Sequence, residues 1–417
     1  MKLAILGTDA DIVQLLAAAR SERFQIVWLG DVRPEDAAAV SVTAPGLIDQ
    51  ASNWELLLDR AIADAVLIGH GTVDDASRAE RVKRLVTEGT PLLVVHPAFE
   101  SVLTYYEIDM TRRESGAIVQ HYNPLVAHPV TAAVASWIRD GHPKIGAIHQ
   151  ISCERRVTSP TRGEVLKHLA RDVELLAAIA GDIRRVTAIG PKVDDSSYAA
   201  LQIQIIAATA PSLRWSVNYM TSGGTEFEIG LHGEHGNAII RILSGDGNQA
   251  PSWQIETNEQ GTRHSEPVQA YDPARAAMSR LADSVNAQGS TTERGAGSTW
   301  DAATRAMEVV DAATLSLQKG RTIEVFQQQL TERLAFRGTM AAMGCGLLLM
   351  AFMVLVAVGI FGGIEGGQRR HLIESWSLVL LALLAFFLLL QAVPFLAGKK
   401  RRDQAEPPAP GPNTTRK

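Results

Sequence analysis

Cysteine is scarce: Cys153 and Cys345 are the only two in 417 residues. Two thiols cannot build the disulfide framework of a small secreted protein, and the usage fits a reducing compartment. Excess positive charge is also missing, with 40 Lys and Arg against 45 Asp and Glu. Without a basic stripe nothing recommends a nucleic-acid partner. The N-terminus lacks a signal-peptide pattern, because Met1-Lys2-Leu3-Ala4-Ile5-Leu6 meets Gly7 and Asp9 before an apolar core of useful length builds up. No His, Cys, Asp and Glu spacing suggests a metal site. Charge itself vanishes from two late stretches, 338–364 and 375–398.

Each uncharged stretch has about the ~20 apolar residues a helix needs to cross a bilayer. Two transmembrane helices are expected, at 338–363 and 375–397, the alternative being a pair of buried core helices. Arg333 and Arg337 precede the first span and Lys399, Lys400, Arg401 and Arg402 follow the second. Arg369 and Arg370 between them are balanced by Glu365 and Glu374. Basic residues gather on the cytoplasmic side, so the body and the tail should both face the cytoplasm from the inner membrane. Neither span holds an ionisable residue, which argues for an anchor rather than a transport path. A helix over 321–337 should join body to anchor, with 327–337 as the linker proper, and the basic tail 399–417 should be disordered.

The body begins as alternating strands and helices. Apolar runs at 2–6, 24–29, 65–68 and 91–95 end at Gly7, Gly30, Gly69 and His96-Pro97. Helical stretches fall between them at 12–20, 54–62 and 74–88. This order predicts a parallel sheet of the Rossmann type, with ligands beyond the carboxyl ends of the strands. From residue 145 the pattern changes. After a strand at 145–157 and a helix at 163–180, strand-like segments follow at 183–189, 200–208, 212–219, 227–232, 237–243 and 253–258, then helices at 273–286 and 299–318. Consecutive strands with alternating polarity predict a large, mostly antiparallel open sheet in an α+β domain. The domains are placed at 1–122, a dinucleotide-binding-type unit, and 123–326.

Several segments resemble the Gfo/Idh/MocA oxidoreductases, the glucose–fructose oxidoreductase and inositol dehydrogenase group. They are Leu29-Gly30-Asp31, Asp64-Ala65-Val66-Leu67-Ile68, Glu88-Gly89-Thr90-Pro91 through His96-Pro97, and Ser316-Leu317-Gln318-Lys319-Gly320-Arg321. The resemblance spans roughly the first 325 residues. It implies a Rossmann domain binding NAD(P), an oligomer built through the open sheet, and a catalytic lysine before the proline. Here that position is His96, and the family's Asp and His on the second-domain helix become Lys167 and Arg171. Of the three glycines in the phosphate loop only Gly7 remains, the other positions holding Asp9 and Ile12.

Gly7, Thr8, Asp9, Asp31, His70 and Pro97 are the candidate cofactor contacts. Asp31 lies about 24 residues past Gly7, where an acid accepts from the adenosine ribose, or else serves a turn. Asp9 and Asp11 bring negative charge to a pyrophosphate position, or cap a helix, so NAD(P) affinity should be weakened or lost. His96, Lys167 and Arg171 are the candidate catalytic groups, and His121, Tyr122, His168 and Asp172 the candidate substrate contacts. Lys167 and Arg171, four apart on one helix face, would suit a sugar-like or anionic ligand, or form a solvated basic face. Two readings follow: a catalytically degenerate, membrane-anchored binding or scaffold module, or an active NAD-dependent oxidoreductase on a sugar or polyol using His96 as acid and base.

Overall fold

The computed structural model describes residues 1–325 apart from 22–23, 48, 194, 222–225, 244–250 and 288–299. Residues Met1–Gln327 form one compact unit. Its first half runs β1 (Lys2–Leu6), α1 (Ala10–Ser21), β2 (Gln25–Gly30), α2 (Ala37–Thr43), a 3-10 helix (Ala51–Leu58), β3 (Ala65–Ile68), α3 (Asp75–Thr87), β4 (Leu92–Val95), α4 (Val102–Ser115), β5 (Val119–Tyr122) and α5 (Pro129–Asp140). The strands pair in parallel in the order β2-β1-β3-β4-β5. Every residue of β3 and β4 is buried, as expected for parallel strands covered on both faces. The core therefore has five strands, one fewer than a full Rossmann sheet.

The second half runs β6 (Ile148–Val157), α6 (Arg162–Ala180), β7 (Ile183–Ile189), β8 (Gln202–Ala207), β9 (Ser212–Tyr219), β10 (Glu226–Gly233), β11 (Gly236–Leu243), β12 (Ser252–Glu259), β13 (Thr262–Glu266), α7 (Pro273–Ala287), α8 (Trp300–Lys319) and β14 (Ile323–Glu324). Nine strands form one sheet in the order β13-β12-β11-β10-β6-β9-β8-β7-β14. β6 and β9 run parallel and the other neighbours antiparallel. In β9, Leu213, Trp215 and Val217 point inward and alternate with polar residues, so one face is packed.

The last two helices bind the halves together. Ala274, Ala277, Met278 and Leu281 of α7 join the cluster formed by Leu3, Ile5, Leu15 and Leu16. Trp300 of α8 stacks on Tyr105 of α4 at 4.9 Å and donates its indole N–H to the Tyr105 carbonyl at 3.0 Å.

Three local expectations are corrected. The stretch 51–58 is a 3-10 helix rather than an α-helix over 54–62. Residues 323–324 add an edge strand to β7, so no helix starts at 321. α2, α4, β5, α5 and β13 arise where no element was anticipated. Among the described residues no helix is long and apolar enough to cross a membrane. The expected linker 327–337, spans 338–363 and 375–397 and tail 399–417 lie outside the described residues.

Candidate functional site

The polar groups converge at the carboxyl ends of β1 to β4 and on the facing side of α6. Gly7 turns the chain with φ +84°, and a Cβ there would lie 2.7 Å from the Gly69 carbonyl oxygen. Only glycine fits so close a backbone approach. Gly71 donates to the Thr8 carbonyl at 3.1 Å, and the Arg33 amide donates to the Thr8 hydroxyl at 2.8 Å. Thr8 is thereby 0 % exposed. The segment after β3 thus lies directly on the glycine turn.

Asp9 is fully engaged. One carboxylate oxygen accepts from the Ile12 amide at 2.9 Å, the N-cap bond of α1. The other accepts from the His70 amide at 3.1 Å and lies 2.6 Å from His70 Nδ1. His70 Nε2 lies 2.9 Å from the Pro97 carbonyl. Both ring nitrogens face acceptors, so both contacts are hydrogen bonds together only when each nitrogen carries hydrogen. Burial alone would raise the Asp9 carboxyl, but the His70 hydrogen bond and charge, the Ile12 amide and Arg171 hold it well below the carboxylate range. This chain of contacts ties the ends of β1, β3 and β4 together.

Asp31 is also buried, with φ +62°. Its amide donates to the Asp49 carboxylate at 2.8 Å. Its own carboxylate accepts from the Thr72 amide at 2.9 Å and the Thr72 hydroxyl at 2.5 Å, with Arg81 3.6 Å away. A Cβ on Gly71 would fall 2.2 Å from the same carboxylate. The acid expected on a ribose hydroxyl is held by a threonine hydroxyl of its own chain.

From α6, Arg171 pairs with Asp11 and donates Nε–H to the His96 carbonyl at 2.7 Å. It is therefore not part of a solvated basic face. His96, joined to Pro97 by a cis peptide bond, is 1 % exposed. Its Nε2 lies 3.4 Å from the Ala170 carbonyl, and Nδ1 has no partner among the described residues. Burial, opposed by nearby Glu174 and aided by the charges of His121 and Arg171, pushes its pKa down to about 3, so the ring is neutral. Next to it His121 Nε2 lies 2.5 Å from Glu174, whose other oxygen accepts from Asn123 at 2.8 Å. Burial would raise the Glu174 carboxyl, but His121, His96 and Asn123 hold it at about 2. The Tyr122 ring is buried and its hydroxyl is raised by burial and by Asp11.

Lys167 lines a cavity of about 540 Å³, as do His70 and Pro97. His168 is half-buried, and burial plus the charges of Arg155, Arg171 and Lys167 drives its ring well below the usual imidazole range. Asp172 corrects the expectation of a substrate contact. It is 0 % exposed, pairs with Arg155 and accepts from Trp215 Nε1 at 3.0 Å. It faces the second-domain sheet because Trp215 and the Arg155 guanidinium approach it from β9 and β6. Gly7, Thr8, Asp9, His70, Pro97, His96 and Arg171 are therefore brought together, whereas Asp172 is not. Thr72, Arg81 and Glu174 were not foreseen as site residues. Only Glu174 had a local signal, lying three residues after Arg171 on one helix face. Among the described residues no group of three or more His, Cys, Asp or Glu is placed to hold a metal.

No family profile matches the chain, and no curated protein matches it. Solved structures do. A variant of KijD10, a 3-ketoreductase from Actinomadura kijaniata bound to TDP-benzene and NADP, is 15 % identical over 76 % of this chain and 97 % of its own, with a TM-score of 0.60. The aldose-aldose oxidoreductase from Caulobacter crescentus is 12 % identical over 78 % and 99 %, TM-score 0.60. An oxidoreductase from Agrobacterium radiobacter, bound to NAD+, L-tartaric acid and magnesium, is 15 % identical over 78 % and 98 %, TM-score 0.56. The chain shares its fold with these solved oxidoreductase structures. At these identities the likeness concerns fold, and function rests on the site itself.

Proposed function

We propose that this chain is a binding or scaffold module that keeps the oxidoreductase fold and has lost hydride transfer. One observation carries the reading: the side chains expected to meet a dinucleotide at the strand ends are already engaged by the protein. Asp31 is held by Thr72, the first turn of α1 is capped by Asp9, and Thr8 is sealed under the 69–72 segment. The residues present do not fit the cofactor. A pyrophosphate beside Asp9 and Asp11 would meet about 3 kcal/mol of repulsion per pair at ~5 Å and an effective dielectric of ~20. His96 is neutral and sealed from water, which leaves no proton path to a substrate. Titration of the full-length chain in detergent with NADH, followed by nicotinamide fluorescence, should show no saturable binding below millimolar concentration. Micromolar affinity would overturn the reading.

A second reading, an NAD-dependent oxidoreductase acting on a sugar or polyol through His96, is favoured by the unpartnered Nδ1 of that ring. Turnover that His96→Ala abolishes would establish it.

The reading includes an inner-membrane anchor at 338–363 and 375–397 with the body facing the cytoplasm, supported by the uncharged stretches and the basic residues flanking them. Alkaline carbonate should leave the protein in the membrane pellet, and release into the supernatant would remove the anchor. It also includes a homo-oligomer through the outer face of the nine-stranded sheet, which no described helix covers. Light scattering in detergent that returns a monomer would remove that part.

A further inference from the structure

The cavity beside the first turns of α6 borders the strand-end cluster at His70 and Pro97. Its volume of about 540 Å³ lies within the ~300–1,000 Å³ of small-molecule sites. Phe99, Leu166, Met307 and Val310 supply apolar wall. Its cationic groups are unequal. Arg78 donates to the carbonyls of His70 at 2.6 Å and Ala98 at 3.0 Å and pairs with Asp75. His70 is committed to Asp9 and Pro97. Lys167 is half-buried and makes no hydrogen bond or ion pair among the described residues. Burial, the larger cause, and neighbouring Arg171 lower its pKa against the opposing charges of Glu164, Asp9 and Asp11. The carboxylates of Glu100, Glu164 and Asp311 belong to exposed residues.

We propose that this cavity binds a small organic monoanion, an aromatic or alkyl carboxylate, with Lys167 pairing the carboxylate and Phe99, Leu166 and Met307 enclosing the apolar body. A half-buried cation gains most from one carboxylate that removes both charges from water at once, because charge-assisted hydrogen bonds strengthen where solvent is excluded. Arg162, which also lines the cavity and has a buried Nε without a partner among the described residues, is a second cation within the same wall, so one carboxylate has Lys167 and Arg162 to face. A phosphate dianion would bring a second negative charge into a cavity already lined by Glu100, Glu164 and Asp311. A sugar would bring hydroxyls against apolar wall without partners, which costs free energy. The inference deepens the binding-module reading by naming its ligand class, and it rests on that reading.

The test is isothermal titration of the full-length chain in detergent, with detergent blanks, using phenylacetate and hydrocinnamate against phenethyl and hydrocinnamyl alcohol. The carboxylates should bind at least about tenfold more tightly than the matched alcohols, since a tenfold ratio corresponds to ~1.4 kcal/mol. Lys167→Met should abolish that preference and Lys167→Arg should retain it. Met307→Trp, which fills the cavity, should weaken both ligand types. Absence of saturable carboxylate binding, or an unchanged preference in Lys167→Met, overturns the proposal. NADH titrated into the same samples separates the two ideas: tight NADH binding sinks the module reading, while loss of carboxylate binding alone sinks the cavity.

Discussion

Two groups of opposite charges in this protein differ in where water stands. At the strand ends and behind α6, Asp9 with His70, Asp11 with Arg171, and Asp172 with Arg155 are buried or nearly so. On the outer face of the nine-stranded sheet, Arg156 bridges Glu154 and Glu226 at 2.8 and 2.9 Å, and Arg241 bridges Glu228 and Glu256 at 2.9 and 3.1 Å. Both of those arginine side chains are 30 % exposed. The residue types are the same, but the consequences of removing one partner are not. An exposed pair relaxes into solvent, whereas a buried one leaves a charge that nothing else can satisfy. The buried group therefore fixes geometry, and the exposed ladder keeps a broad sheet face polar and its strands in register.

The sharpest break of this contrast is Arg155→Met. It strands Asp172 in the interior with only Trp215 as donor, and should cost about 3–5 kcal/mol in chemical unfolding. A loss below 1 kcal/mol would mean that water reaches Asp172 (roughly the exposed-pair regime).

Acid should come next. His96 has a folded pKa of about 3 against an unfolded value near ~6.5, so the unfolded chain binds the extra proton first. Its contribution is fully present above ~6.5 and is lost as pH falls toward 3. Glu174, at about 2 when folded, continues the loss below its ordinary value of 4.5. His128, lowered to about 4 by burial, acts in the same upper window as His96. Thermal midpoints should fall steadily below neutral pH, and His96→Phe should flatten the part between about 6.5 and 4.5. An unchanged profile in that variant would place the titration elsewhere.

Asp9→Ala removes the α1 cap and the partner of His70, and should cost about 1–2 kcal/mol. Arg241→Ala should cost no more than about 1 kcal/mol, and less at high salt. A larger loss there would show that the ladder behaves like the buried group.

Most of the parallel sheet was legible because its strands are short apolar runs closed by glycine or His-Pro, and such runs have few other fates. β9 was read at its observed bounds from strict alternation at 212–219. β13 was not, since Thr262-Arg263-His264-Ser265-Glu266 has no apolar residue to alternate. α4 mixes Tyr105 and Ile108 with Glu107, Asp109, Arg112 and Arg113, and its stripe is understandable only once Trp300 covers it. At the site, the helix-cap alternative for Asp9 was readable from its place before an apolar-periodic stretch. The bond from Thr72 to Asp31 spans 41 residues and leaves no spacing signature. The same holds for Arg171 with Asp11, 160 residues apart. Long-range pairing is what engages strand-end side chains that local pattern left open to a ligand.

The stacking of Trp300 on Tyr105 has a consequence for how the polypeptide matures. The hydrogen bond between them bridges 195 positions, so α4 cannot receive its final cover until nearly the whole body has left the ribosome. Nascent intermediates would carry a greasy flank for most of synthesis, and chaperone occupancy should persist until α8 emerges. A truncation ending before residue 300 should accordingly stay bound to holdases rather than accumulate as a free half-protein.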